Sequence, residues 1–305
     1  MTKVPANGIE VEVEEAGPKD GPAVLLIAGL GLQLVFWPEA FVSALADAGY
    51  RVIRFDNRDA GLSTKMDGVR PPKLRRQILK RLVGLPGGAP YTVDDMAADA
   101  AGVLDALGVD RAHVVGLSMG GIIAQVLAAT RPDRVASLTL MMTTTNNPRL
   151  PRPKGEAARV LFERPPANPT REEAIERGLA VWLAIGTKDA EPADAIRARV
   201  ARDIDRAHET EGTARQLAAI IETSDVRRRT RTIRAPALVV HGTADPLVSP
   251  RGGEDIAANL PGARLERIEG MGHDLPPKHL ERVTALVLEH LRAADASAEP
   301  ERVGA

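Results

Sequence analysis

Residues 112–121 read AHVVGLSMGG, and this stretch decides the fold. Residues 112–117 are mostly apolar and few enough for a strand buried on both faces. The apolar run that follows, 122–130, stops before Pro132, as a helix would. G-x-S-x-G between a strand and a helix places the serine on a strained turn. The motif alone also fits a glycine-rich turn with a surface serine. The prediction that Ser118 is a nucleophile therefore depends on the strand before the motif and the helix after it.

Other short apolar runs suggest further strands. Strands are predicted at residues 23–28, 52–55, 135–142, 237–241 and 264–268, and a half-exposed strand is predicted at 9–16. Helical patterns at 38–48, 92–107 and roughly 279–292 lie between or after them. Strands that alternate with helices indicate βαβ units and a parallel sheet. The chain is therefore predicted to be an α/β protein.

One long region, residues 145–232, interrupts this alternation. It contains several prolines followed by helical patterns, and no convincing strand. We predict that it is a helical cap, inserted into a core made of residues 1–144 and 233–293. The last stretch, residues 294–305, is rich in alanine and glutamate, and we expect it to be disordered.

Composition narrows the possible functions. The net charge of −1 and the aromatic content of 3% argue against nucleic-acid binding. The absence of cysteine removes disulfides, thiol chemistry and cysteine-ligated zinc. The first residues lack the apolar run of a secretory signal, and no apolar stretch approaches the ~18 residues of a membrane span. We expect a soluble, cytoplasmic protein that binds neither nucleic acid nor membranes.

A serine nucleophile needs a base that takes its proton. Among six histidines, His273 lies in the stretch EGMGHD (269–274), after a predicted strand and before the last helix. Loops at the carboxyl ends of parallel strands are where α/β sites form. His113 begins the strand before Ser118, so it should lie at the opposite end of the sheet. We therefore predict that His273 is the general base, and that the other histidines are structural.

The third member of a catalytic triad is an acid that orients the histidine. Asp245 follows the buried run 237–241, in the stretch HGTADPLV (241–248). It precedes His273, and the order Ser…Asp…His is the one found with a G-x-S-x-G elbow. We predict that Asp245 fixes the tautomer of His273 and stabilises its cationic form without taking the proton.

Acyl transfer also needs two N–H groups that stabilise an oxyanion. Met119 N–H, directly after the nucleophile, is the first predicted donor. Leu30 N–H, in the loop after the strand at 23–28, is the second. Four residues are candidates for lining the substrate pocket or simply for packing: Trp37, Phe162, Leu179 and Trp182.

Together these motifs resemble the α/β-hydrolase superfamily from about residue 8 to 293. The resemblance implies a mostly parallel, eight-stranded sheet flanked by helices, with a helical cap. Residues 54–63, RFDNRDAGLS, are similar to the D-x-R-G-x-G-x-S turn of that family, with Asp59 in place of glycine. Ala28-Gly29 stands where many relatives have His-Gly. A closer resemblance is to aclacinomycin methylesterase-type esterases, through Trp37-Pro38, the RFDNRDAGLS turn, Gly-Leu-Ser-Met-Gly and Gly-Met-Gly-His.

The predicted activity is that of a serine carboxylesterase acting on small-molecule esters through an acyl-enzyme on Ser118. The mechanism requires no cofactor and no metal. Cofactor-free perhydrolases of the haloperoxidase type and carbon–carbon bond hydrolases would keep the same triad, and both remain open. A receptor-like ligand-binding protein with slow turnover is the alternative from another class. The sequence leaves the acyl preference and the oligomeric state undetermined.

Overall fold

Eight strands form one continuous sheet in the order β1-β2-β4-β3-β5-β6-β7-β8. The structure, a computed structural model, describes residues 1–163, 169–208 and 210–302. The strands are β1 (Thr2–Ala6), β2 (Ile9–Ala16), β3 (Ala23–Ile27), β4 (Arg51–Phe55), β5 (Ala112–Leu117), β6 (Val135–Met141), β7 (Ala237–Gly242) and β8 (Arg264–Ile268). Only the pairings of β1 with β2 and of β2 with β4 are antiparallel. The predicted eight-stranded, mostly parallel sheet is confirmed.

Strand β1 is not predicted by the sequence. Only Val4 and Ala6 of its five residues are buried, and Pro5 interrupts the apolar pattern. Because β1 is an edge strand that pairs with β2 alone, the missing N–H of Pro5 is tolerated there. A short strand of this kind carries too little local signal to be recognised before its partner is known.

Helices cover both faces of the sheet. They are α1 (Glu39–Asp47), α2 (Leu74–Leu82), α3 (Val93–Ala106), α4 (Met119–Thr130), α5 (Gly155–Phe162), α6 (Arg171–Ile185), α7 (Ala193–Arg206), α8 (Thr210–Glu222), α9 (Arg227–Thr230), α10 (Arg251–Asn259) and α11 (Pro277–Arg302). Apolar residues of α3, α4 and α10 pack on one face, and those of α1 and α11 pack on the other. None of the helices in the described part of the chain is long and apolar enough to cross a membrane.

The last helix extends further than the sequence predicts. Helix α11 continues to Arg302 and so includes residues 294–302 of the tail that the sequence predicts to be disordered; residues 303–305 lie outside the described part. Ala294 is buried, and Asp295 accepts a hydrogen bond from Tyr50 Oη (2.9 Å). Asp295 also lies 3.0 Å from Nε2 of the buried His113. The composition of the tail gives no sign of these long-range partners, which hold the helix against the sheet.

Helices α5 to α9 lie between β6 and β7, in the segment predicted to form the cap. No strand occurs among the described residues of 145–232. Two ion pairs with deeply buried carboxylates join this segment to the turn after β4. Arg206 Nη1 lies 2.8 Å from Asp56 Oδ2, and Arg215 Nη2 lies 2.8 Å from Asp59 Oδ1. Both carboxylates have 0% of their side-chain surface exposed, so the helices α7 and α8 are fixed directly on the core.

The contacts of Asp59 explain how an aspartate can occupy a position that is glycine in the related family turn. Its φ of +65° is in the left-handed region that favours glycine. Arg215 donates to both carboxylate oxygens, at 2.9 and 2.8 Å. Tyr91 Oη donates to the same carboxylate at 2.7 Å, and the backbone N–H of Met66 donates at 2.8 Å. These contacts stabilise a backbone conformation that an aspartate rarely adopts, and they couple the turn to α8.

The buried pair predicts a large loss of stability on removal of one partner. Arg215→Met leaves the Asp59 carboxylate buried without its guanidinium, which should lower the free energy of unfolding by about 3–5 kcal/mol. Arg171→Met is the matched control, because the Arg171–Asp205 pair is more than half exposed on both sides. The control should change stability by less than about 1 kcal/mol. Urea unfolding at neutral pH measures both free energies of unfolding. Equal losses of stability in the two variants would contradict the prediction that the buried pair contributes more than the exposed one.

Candidate active site

Ser118 lies at the tip of a sharp turn between β5 and α4. Its φ is +55°, a strained value for a residue with a side chain. The turn requires glycine on both sides: a Cβ on Gly116 would lie 2.4 Å from the carbonyl oxygen of Gly120, and a Cβ on Gly120 would lie 2.0 Å from that of Ile27. The close passage of α4 over the end of β3 therefore leaves no space for larger residues. The predicted strand–turn–helix context of Ser118 is present.

Three predicted residues from distant parts of the chain meet at this turn. His273 Nε2 lies 3.0 Å from Ser118 Oγ, and His273 Nδ1 lies 2.7 Å from Asp245 Oδ2. With the imidazole neutral and its proton on Nδ1, Nδ1–H donates to the carboxylate and Nε2 accepts from the serine hydroxyl. The geometry therefore suits proton transfer from Ser118 to His273.

Asp245 is buried, yet its environment favours the ionised form. Its Oδ1 accepts hydrogen bonds from the backbone N–H groups of Leu247 (2.9 Å) and Val248 (2.8 Å). Burial alone would raise the pKa of Asp245, but the nearby His273 and the contact with His241 lower this pKa to about 2. His241 Nε2 also lies 2.9 Å from the carbonyl oxygen of Val248, which places it beside the turn that carries Asp245. The carboxylate thus remains charged at neutral pH.

The two predicted oxyanion donors flank Ser118. Met119 is the first residue of α4, where a helix has no internal acceptor for its N–H groups. Leu30 lies in a turn closed by a hydrogen bond from Leu32 N to Gly29 O (3.2 Å). A Cβ on Gly29 would lie 3.3 Å from Ser118 Cβ, so the turn is in contact with the serine. Within the described residues, neither Leu30 N–H nor Met119 N–H donates a hydrogen bond.

The loop that carries His273 is attached to the end of α6, a contact that the sequence does not reveal. His273 N donates to the carbonyl oxygen of Ile185 (2.8 Å). Gly272 N donates to Thr187 Oγ1 (2.8 Å), and Thr187 Oγ1 donates to Asp274 Oδ1 (2.6 Å). Thr187 follows the end of α6, and nothing in the sequence around it indicates a contact with the loop of His273.

The four predicted pocket residues occupy different environments. Trp182 stacks on Phe36 with ring centroids 5.8 Å apart, and it borders a cavity of about 280 Å³ that reaches Asp274. Trp37 has only 1% of its surface exposed and packs against Phe36 and Phe41 within the core. Its position gives no support to the prediction that it contacts substrate.

The remaining two pocket candidates belong to the helices between β6 and β7. Leu179 packs against Ile175, Ile196 and Val200, in a small cluster between α6 and α7. Phe162 ends α5 with 46% of its surface exposed. The structure therefore does not bring all four residues together at one pocket. Within the described residues, no group of three or more acidic or histidine side chains could hold a metal ion.

A second chain of serine, histidine and aspartate lies elsewhere in the fold. Ser137 Oγ is 2.8 Å from His113 Nδ1, and His113 Nε2 is 3.0 Å from Asp295 Oδ1. Ser137 lies inside strand β6 and is fully buried, and burial lowers the pKa of His113. Because His113 is near the start of β5, this group lies at the opposite end of the sheet from Ser118. This group contains the same three residue types as the candidate site, but its serine does not lie on an accessible turn.

The family of the chain follows from its match to known proteins. The family model of the alpha/beta hydrolase fold matches residues 22–280. The protein therefore belongs to the α/β-hydrolase family, as predicted from the elbow and the order of its strands and helices.

Individual relatives agree with the predicted resemblance to methylesterases. Rhodomycin D methylesterase DauP of Streptomyces sp. (strain C5) is 31% identical, with 91% of this chain and 93% of DauP covered. Rhodomycin D methylesterase DnrP of Streptomyces peucetius is 32% identical over the same shares. The crystal structure of the enol-lactonase from Burkholderia xenovorans LB400 is similar with a TM-score of 0.73 and 25% identity, covering 95% of this chain and 100% of that one. The predicted resemblance to methylesterases is confirmed.

The low pKa of Asp245 predicts a specific acid sensitivity. The folded-state pKa of about 2 lies below the ordinary value of about 3.9, so the ionised form stabilises the fold above about pH 4. This contribution, about 2 kcal/mol, decreases as the pH falls toward 2.

The measurement is the free energy of unfolding of the wild type and of Asp245→Asn at pH 6, 5, 4 and 3. We expect the wild type to be more stable by about 2 kcal/mol at pH 6, with about half of that advantage lost at pH 3. An advantage that stays constant over this range would show that the Asp245 carboxylate does not have a lowered pKa.

Proposed function

We propose that this protein is a serine carboxylesterase that cleaves carboxylic esters through an acyl-enzyme on Ser118. The observation that carries the proposal is the hydrogen-bonded chain from Ser118 Oγ through His273 to Asp245, at 3.0 and 2.7 Å, beginning at a strained turn. A serine held in this way has a base within reach and a positioned acid behind that base. The methylesterase relatives support the same class of reaction.

Acylation begins when Ser118 Oγ attacks the ester carbonyl carbon and His273 Nε2 takes the serine proton. The negative charge that develops on the carbonyl oxygen is stabilised by Leu30 N–H and Met119 N–H, the two free donors beside the serine. The intermediate then collapses, and His273 gives the proton to the departing alkoxide. The alcohol leaves and an acyl-Ser118 ester remains. Asp245 stays ionised throughout and stabilises the imidazolium.

Deacylation repeats these steps with water as the nucleophile. His273 takes a proton from the water, whose oxygen attacks the acyl carbonyl carbon. The same two N–H groups stabilise the second oxyanion, and His273 returns the proton to Ser118 Oγ as the carboxylic acid leaves. Every proton transfer uses a residue of this chain, so we propose a reaction without a cofactor or a metal.

The substrate class that we propose is methyl esters of bulky, flat carboxylic acids. The name of the rhodomycin D methylesterases indicates a methyl ester substrate for those relatives. In this chain, helices α5 to α9 form a cap over the core, and Trp182 stacked on Phe36 offers a flat aromatic surface. The Arg199 guanidinium lies over the Trp182 ring, 5.0 Å from its centroid, and adds a cation to this aromatic pair. We propose that this aromatic pair contacts the acyl group.

A comparison of two serine variants tests the proposal. Ser118→Ala removes the nucleophile and should reduce turnover of p-nitrophenyl esters by at least about 1000-fold. Ser137→Ala is the control, because Ser137 also contacts a histidine but is fully buried in β6. The control should keep wild-type turnover. An acyl series from acetate to palmitate, together with the methyl ester of a polycyclic aromatic acid, measures the acyl preference.

Wild-type turnover by Ser118→Ala would refute the esterase mechanism. The alternatives with the same three residues predict different products. A perhydrolase would show halide-dependent oxidation by peroxide that exceeds ester turnover, and a carbon–carbon bond hydrolase would cleave a dienoate ketone that the esterase leaves intact. A single burst of alcohol without steady-state turnover would identify a receptor-like protein.

A further inference from the structure

Gln216 on helix α8 connects two backbone segments of the core. Its side chain is completely buried. The Oε1 atom accepts a hydrogen bond from Gly31 N–H at 2.8 Å, and Nε2 donates to the carbonyl oxygen of Arg58 at 2.7 Å. Both ends of the amide are therefore used, one as an acceptor and the other as a donor. Only an uncharged side chain with both functions satisfies the two partners at once.

The first of these segments is the turn that carries Leu30 N–H. Its third position, Gly31, has a φ of +68°, which suits the type II turn closed by Leu32 N and Gly29 O. A Cβ on Gly31 would lie 2.8 Å from Thr213 Oγ1, so α8 is packed directly on the turn. Because Gln216 holds the peptide that follows Leu30, it restricts the backbone rotation that sets the direction of Leu30 N–H.

The end of the same loop is attached to helix α7. The side-chain amide of Gln33 donates to the carbonyl oxygens of Asp203 (2.6 Å) and Ala207 (2.8 Å). Its Oε1 accepts from Arg206 Nη1 at 2.6 Å. The loop that contains the proposed oxyanion donor is thus held from outside by α7 and α8, while β3 supports only its beginning.

We propose that Gln216 is a positioning residue for the oxyanion site, so that the cap organises the catalytic geometry in addition to covering it. This inference rests on the proposed function, because Leu30 N–H acts as a donor only if the serine mechanism operates. Gln216 itself does not touch the reacting atoms. Its effect is on the transition state, in which the oxygen that accepts from Leu30 N–H carries the most negative charge, and much less on the bound substrate.

The test compares Gln216→Met with Gln77→Met. Methionine keeps the length of the side chain and removes both hydrogen-bonding groups. Gln77 is the matched control: it has 1% of its surface exposed and donates to the carbonyl oxygen of Ala218 on the same helix at 2.8 Å, away from the turn. Loss of an oxyanion donor costs about 100- to 1000-fold in kcat, and displacement of one should cost about 10- to 100-fold. We expect this loss for Gln216→Met with little change in KM, and kcat within about twofold of wild type for Gln77→Met.

A second measurement separates positioning from general damage to the cap. A trifluoromethyl ketone forms a hemiketal oxyanion with Ser118, so its Ki should rise for Gln216→Met by the factor by which kcat/KM falls. Gln216→Asn keeps an uncharged amide with both an acceptor and a donor, and it should recover part of the lost kcat. It also keeps the comparison informative if thermal unfolding shows that Gln216→Met does not fold.

Equal kcat losses in the two methionine variants would overturn the inference, as would a rise in KM with unchanged kcat. A Gln216→Asn variant no more active than Gln216→Met would also overturn it. Failure of the proposed function has a different signature, since Ser118→Ala would then turn over esters as fast as the wild type.

Discussion

The close passage of α4 over the end of β3 is the constraint on which the site depends. Gly120 lies so near the carbonyl oxygen of Ile27 that a Cβ would be only 2.0 Å away. This contact forces the chain to reverse within Ser118, which explains its positive φ. It also brings the loop after β3 against the serine, with Gly29 in contact. Ser118, the start of α4 and the turn around Leu30 are therefore fixed by one packing contact between α4 and the end of β3.

Ser118, Asp245 and His273 could be predicted because each follows a strand, and the strands before Ser118 and Asp245 consist of apolar runs typical of buried strands. Parallel strands end at the same edge of a sheet, so residues that are far apart in sequence meet there without any knowledge of their contacts. Gln216 and Thr187 could not be predicted in this way. Both lie between β6 and β7, and their partners, Gly31 and Gly272, are backbone groups. Nothing in a local pattern distinguishes a glutamine that meets a backbone N–H 185 residues away from one that faces solvent.

Polar groups that water does not reach connect the helices between β6 and β7 with the core. Asp56, Asp59 and Gln216 are all completely buried or nearly so. The two core carboxylates bind arginines of α7 and α8, and Gln216 of α8 binds two backbone groups of the core. A buried charge or amide without a partner has a high free-energy cost. These groups therefore favour the arrangement in which all of them are paired. An apolar interface of similar size would tolerate sliding. The placement of Asp59 at a glycine-like φ is consistent with this requirement, because Arg215 stabilises it there.

The two serine–histidine–aspartate groups have similar distances but different surroundings. In both, a serine hydroxyl lies about 3 Å from a histidine nitrogen and a carboxylate lies about 3 Å from the other nitrogen. Ser137 has regular strand geometry and no access for a substrate, whereas Ser118 stands on a turn next to two free backbone N–H groups. The acid also differs, since Asp245 is buried and held by backbone donors while 41% of the Asp295 side chain is exposed. Side-chain identity and distance therefore do not distinguish the two groups; the strained turn at Ser118 and the two backbone N–H groups beside it do.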